Sequence, residues 1–550
     1  MKIRYSLLAL ILALGATETW AGMGASGPLN PEAAKQEMEK VRKEQGVPEA
    51  KPTPILDALV RDDMATVNKM LDAGGDANET NAAGLSLLMI TAHKGNTELF
   101  DRLIKMGANT KARDSAERTV LMFAAIGGHD DLAKRLIKKG ADVNATDDED
   151  NTSLHFASEN GNTAVARTLI KAGADIDPRN ADKKTPLMLA AHAGYEDIAL
   201  ALIKAGANVN AKTPDGNTVL MEAAIGGNLR TVQSLISKGA NVNASNNKPG
   251  FSALHMAIHN GHDDIANALL DAGADPKAKT HGNTTVLIAA AASHRTAIVE
   301  RLIKMGADVN ARGNHGRTVL MTAAKHGGLN EVRLLLKHGA HVNDTNTTGW
   351  SALAYAIADN HVDVARELVK AGARLDTREQ SQGGTPLMVA IFRGNKDALD
   401  YLLTLNVDVN ARGFKNITPL MEAAKSGRNE FMVALMDKGA DVNLQDDAKM
   451  AAIHYAAMIN KPDPVAVLLK HGARVNVRNQ LGATPLILAA WWGDRKTVDL
   501  LIKAGADVNV IDNSGQTALD FAIKRTRGPA MIERLKKAGA KTASELVSGK

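Results

Sequence analysis

A glycine that returns every 33 or 34 residues constrains this chain more than any other feature. Gly-Ala stands at Gly107, Gly140, Gly173, Gly206, Gly239, Gly273, Gly306, Gly339, Gly372, Gly439, Gly472, Gly505 and Gly539. Gly74-Gly75 and Asn406-Val407 fill the two remaining registers, so the reading is about fifteen repeats. A period of this size marks one supersecondary unit copied along the chain, and such units bury their apolar faces only by stacking on neighbours.

Each unit has the signals of two helices and a turn. A block such as Thr185-Pro186-Leu187-Met188 begins it, with Thr or Ser placed to cap a helix and Pro suited to the first helical position. Small residues then follow, as in Ala190-Ala191, and permit close helix packing. A second helix shows apolar spacing, as in Ile198, Leu202 and Ile203. The closing Gly fits the left-handed position past a helix C-terminus. A stretch such as Asn208-Val209-Asn210-Ala211 would form the arm of a hairpin-like finger. Fourteen blocks open with Thr or Ser, and Ala451 replaces the hydroxyl in the other.

These motifs, T-P-L-x-x-A-A at the start and G-A-D-V-N-A at the end on a 33-residue period, resemble the ankyrin repeat family. The resemblance covers residues 51–541. It implies an all-α solenoid of stacked helix-turn-helix units with hairpin-like fingers, binding protein partners on its concave and finger surface without catalysis. This sequence departs from the family at the fourth block position. The family's His is kept at His155, His255 and His454, while Met stands at Met89, Met122, Met188, Met221, Met321, Met388 and Met421. That His braces neighbouring loops in the family, so Met is expected to put packing in place of hydrogen bonds.

A longer period overlies the first. Blocks at Thr119, Thr218, Thr318 and Thr418 share T-[VP]-L-M-x-A-A, and those at Thr152, Ser252, Ser351 and Ala451 share another signature. A third set begins at Thr185, Thr285, Thr385 and Thr484. Three-repeat modules amplified four times, between atypical end repeats at Thr53 and Thr517, account for the pattern.

The rest of the chain concerns its destination. Lys2 and Arg4 precede the apolar run Leu7 to Ala16, too short to span a bilayer, and Thr19-Trp20-Ala21 offers a cleavage site. Residues 1–21 therefore read as a signal peptide, and the periplasm is the expected location, with secretion as the alternative. No stable membrane anchor is expected after cleavage. Residues 22–50 read as a linker with a short charged helix beginning near Asn30-Pro31-Glu32, and residues 542–550 as a C-terminal tail.

No catalytic, metal or cofactor site is expected. The chain has no Cys, which removes thiolate chemistry and disulfides. Phosphate-loop, H-E-x-x-H, G-x-S-x-G and calcium-loop patterns are missing from the sequence. His93, His192, His259 and His326 come from different repeats and so would not share one metal. Asp147-Asp148-Glu149-Asp150 reads as a solvated cluster on a finger tip. A net charge of +5 against 66 basic and 61 acidic side chains gives no reason to expect nucleic acid.

Aromatics form only 3% of the chain, so their places are informative. Phe123, Phe156, Tyr355, Tyr455 and Phe521 fall at the residue after the fourth block position, expected to be core. Phe251, Trp350, Phe392, Arg393, Phe414, Ile417, Met450, Trp491 and Trp492 fall instead where the repeat leaves side chains solvent-facing and free to vary. Interfaces favour these residue types, so the nine are the candidate partner-binding residues, all C-terminal of residue 250. The alternative to a several-partner scaffold is a dedicated accessory or immunity-type protein of an envelope oxidative-stress or toxin system.

Overall fold

The computed structural model describes residues 53–380, 383–459, 461–492, 495–524 and 529–548. The expected signal peptide and linker, residues 1–50, lie outside them. Among the described residues there are 31 α-helices, two short 3-10 segments and no strands. Isolated antiparallel bridges such as Thr80 to Ser86 and Arg312 to Thr318 close the fingers. The helices divide into two compact units, one ending at Asp275 and the other beginning at Pro276.

In the unit ending at Asp275, the sequence signals act as read. Thr218 is extended, and its hydroxyl accepts the Met221 amide, starting helix Val219–Gly226. Burial runs unbroken from Val219 to Ala224, because this helix packs between the first helices of both neighbouring repeats. The following helix, Leu229–Ser237, buries Thr231, Val232 and Leu235 and turns its other face outward. First helices stack on first helices and second on second, giving two helical layers per unit.

Small residues are required where first helices meet. A Cβ on Gly226 would lie 2.1 Å from the Ala191 carbonyl oxygen, whereas one on Gly239, with φ +82°, would meet nothing within 4 Å. Gly226→Ala is therefore expected to cost about 3 kcal/mol through forced backbone movement. Gly239→Ala should cost only the left-handed penalty, about 1 kcal/mol. Urea unfolding of both variants checks the order, and equal losses would contradict it.

An Asn four residues past the closing position ties one repeat to the next in most fingers, while Lys111, Asp177, Lys277 and Asp376 stand there in the others. Asn210 donates to the Gly239 carbonyl at 3.1 Å and accepts the Asn241 amide at 2.9 Å. Asn243 repeats this with Gly273 and Asp275. In the unit beginning at Pro276, Asn410 and Asn443 do the same with Gly439 and Asp441, and with Gly472 and Arg474.

The repeat around Asp376 departs furthest from this frame. Asp376 replaces the Asn, and its carboxylate pairs with Arg374 at 3.0 Å. In the next repeat helix Lys396–Leu402 has 7 residues where most second helices have 9. Asn406 does not take the left-handed conformation of the glycine it replaces; Thr404 closes the turn on the Tyr401 carbonyl. Ser351 and Thr385 are also 34 residues apart, one more than the commoner spacing.

Two expectations about side chains need correction. Met does not merely fill the place of His. The sulfurs of Met122, Met221, Met321 and Met421 accept the backbone N–H of the capping Thr at 3.3–3.5 Å. His155 Nδ1 accepts the Thr152 N–H at 3.0 Å in the same way, and its Nε2 reaches the Lys184 carbonyl at 3.2 Å. Met thus keeps the acceptor half of the His role and loses the donor half. At Ala451, with no hydroxyl, His454 accepts the Ala451 N–H and reaches the Ala483 carbonyl. The second correction concerns the aromatic column: Phe123 is fully buried, but Phe156, Tyr355, Tyr455 and Phe521 are half-buried. The first helix turns that position toward the finger surface.

Candidate partner-binding grooves

The irregular repeat carries a groove. Thr385 precedes helix Pro386–Arg393, whose buried side holds Leu387 and Ala390 in the core. Its last turn must then point Phe392 and Arg393 outward, since positions seven and eight fall on the opposite side of the helix. Phe392 is 56% exposed. Across from it, the 3-10 segment Phe414–Asn416 holds Lys415 at φ +54° and leaves Phe414 58% exposed. Between them opens a cavity of about 460 Å³, walled by Trp350, Met388, Val389 and Ile417 and edged by Glu379, Glu422, Lys415 and Lys425. Five sequence candidates, Trp350, Phe392, Arg393, Phe414 and Ile417, line this one space.

A second cavity, also about 460 Å³, is lined by Leu481, Ile487, Leu488, Trp491, Trp492 and Phe521 with Asp512, Asn513 and Ser514. It is the same site one module later. Trp491 and Trp492 lie 99 positions after Phe392 and Arg393, as Leu488 does after Val389 and Phe521 after Glu422. Trp491 meets Phe521 edge-on, with centroids 4.9 Å apart. Two of the three-repeat modules therefore carry a groove at the same register with different chemistry. In the unit ending at Asp275 the corresponding pair is His192 and Glu222, in contact at 2.7 Å. That hydrogen bond, together with the charge of Glu222, holds the His192 imidazole above its ordinary pKa.

The remaining candidates lie elsewhere. Met450 is 8% exposed and buried, with its sulfur accepting from Asn479 Nδ2, so it packs between fingers and leaves the surface set. Phe251 is half-buried with its ring 5.7 Å from that of His255. Trp350 is half-buried, with its ring tilted against that of Tyr355 at 5.1 Å between centroids, and it lines the cavity. Sequence reasoning missed Tyr355 and Phe521 as surface aromatics; their spacing from Trp350 and Trp491 was the available signal.

The acidic finger tip is partly structural. Asp147 is buried and accepts the amides of Glu149 and Asn151, and burial raises its carboxyl pKa. Among the described residues no three His, Asp or Glu side chains come together as a metal site. None of the helices among them is long and apolar enough to cross a membrane.

Comparison with protein families agrees with this geometry. A model described as ankyrin repeats (3 copies) matches residues 56–147, 128–213, 201–280, 342–413, 376–446, 420–512 and 453–544. A model for many copies matches 302–356, and a single ankyrin repeat matches 281–314. No curated protein matches the chain. Ankyrin repeats are generally non-catalytic scaffolds for protein–protein interaction. With well over half of its length under these matches, and with two-layer helical stacking within each unit, the chain belongs to the ankyrin repeat family.

Proposed function

We propose that the chain is an exported scaffold or adaptor of fifteen ankyrin units that binds protein partners through the grooves at residues 350–425 and 479–521. It does no chemistry on them. The carrying observation is the convergence of five sequence-chosen candidates in one cavity, with Trp491 and Trp492 in its counterpart. Exposed aromatics over an apolar floor, with polar groups at the edge, match the anatomy of interfaces. Export to the periplasm rests on the charged and apolar character of residues 1–21.

Affinity capture from an envelope fraction tests this reading. The full chain is expected to retain partners that a Trp350→Ala, Trp491→Ala variant loses. Retention of the same partners at the same strength by the variant would refute the interface. Recovery of one partner alone would favour the dedicated accessory over the several-partner scaffold.

A further inference from the structure

We infer that the first groove takes a partner segment in which a large apolar side chain is flanked by carboxylates. The inference rests on the scaffold reading and names the partner chemistry. The groove interior is apolar: Met388, Val389, Phe392 and Ile417 leave no buried donor or acceptor of their own side chains to be matched. A long aliphatic or aromatic side chain would remove Phe392 and Phe414 from water, which is the main attraction available.

Charge decides what stands beside that anchor. The two carboxylates at the groove are both engaged within the protein. Glu379 is buried and accepts the Gly384 amide at 3.3 Å, and Glu422 is buried 3.6 Å from the Lys425 ammonium. Two cations remain. Arg393 and Lys415 are exposed, and among the described residues neither has a carboxylate within ion-pair distance. The Lys415 ammonium lies 5.5 Å from the centroid of the Phe414 ring. A partner covering this aromatic also strips water from the cation beside it, which carboxylates on the partner would offset. A basic segment would meet like charge from Arg393 and Lys415 together.

The second groove supplies a built-in comparison. At the positions equivalent to Arg393 and Lys415 it has Trp492 and Ser514, which carry no charge. Its apolar lining should therefore select for an anchor without selecting for acid next to it.

Panning a library of short random peptides against the purified full chain tests the inference. Selection is run in parallel on Phe392→Ala, Trp491→Ala and the paired variant Arg393→Ser, Lys415→Ser, each checked by circular dichroism. Peptides lost with Phe392→Ala are expected to carry Asp or Glu beside Leu, Phe, Met or Trp. A synthetic peptide of that kind should bind the paired variant about five-fold or more weakly, and should weaken on raising salt from about 0.05 to about 0.5 M. Trp491→Ala should leave it unchanged. Phe392-dependent peptides with no acidic excess, or binding insensitive to the paired variant, would overturn the inference while leaving the scaffold reading intact. If no peptide depends on either Phe392 or Trp491, both fall together.

Discussion

Lowering the pH from about 6.5 to about 4 is expected to destabilise each unit by about 3 kcal/mol through one buried histidine. Those residues are His155 and His454, whose imidazoles burial pushes down to about 4. The geometry explains why protonation is resisted. In each ring Nδ1 accepts a backbone N–H, from Thr152 or Ala451, while Nε2 faces a carbonyl. A second ring proton would set donor against donor inside the core. The unfolded chain accepts that proton near 6.5, the folded chain only near 4, so the unfolded state binds more protons within that window. This contribution is whole above 6.5 and lost as the pH falls to 4. Other groups titrate as well, among them His93, whose imidazole burial also pushes down to about 4, so the test is a difference. In His155→Met plus His454→Met, Met supplies the acceptor it already supplies at Met221 and Met421. Urea midpoints of that variant should depend less on pH between 6.5 and 4 than those of the wild type. Parallel pH profiles would refute the account of these two side chains.

Removing the groove aromatics should have a comparable effect on binding and little on folding. Phe392→Ala and Trp491→Ala are each expected to weaken a captured partner by about 2 kcal/mol, roughly 30-fold. Phe392 projects from its helix, so its loss should change stability by less than about 0.5 kcal/mol. Trp491 also gives up its edge-on contact with Phe521, a loss of about 1 kcal/mol. Met450→Ala should behave in the opposite way, costing about 2 kcal/mol of stability with affinity unchanged, because its side chain is buried against Asn479. Calorimetric titration beside thermal unfolding separates the two behaviours. A partner affinity that follows Met450 rather than Phe392 would show that the grooves do not hold it.

The stacking was legible in the sequence because each unit states its own rules locally. Thr218 caps, Ala223 and Ala224 permit close approach, Gly239 ends the second helix, and Asn210 reaches the next finger. All of these depend on residues near one another in sequence or one period apart. The groove residues were partly legible for the same reason, since Phe392 and Trp491 occupy positions that the helix period turns outward. What escaped depends on how neighbouring repeats meet. Met450 is buried by Asn479 of the following finger, 29 residues away, and no local pattern shows that. Tyr355 and Phe521 follow a buried block position but sit at the edge of the stack, where the ring is only half covered. The hydrogen bond to the Met421 sulfur was missed because the side chain was read by its apolar character alone. The irregular repeat around Asp376 and Asn406 was visible as two substitutions and one extra residue. That it frames the first aromatic groove required the structure.

Hydroxyl-radical footprinting of the full chain, with and without a captured partner, measures the central claim most directly. Phe392, Phe414 and Trp492 are exposed aromatics in the two grooves, and Tyr195 and Met305 are exposed side chains outside them. Bound partner should suppress labelling at Phe392, Phe414 and Trp492 and leave Tyr195 and Met305 as reactive as before. Full labelling of the three aromatics, with protection appearing at Tyr195 or Met305, would contradict a partner seated in the grooves.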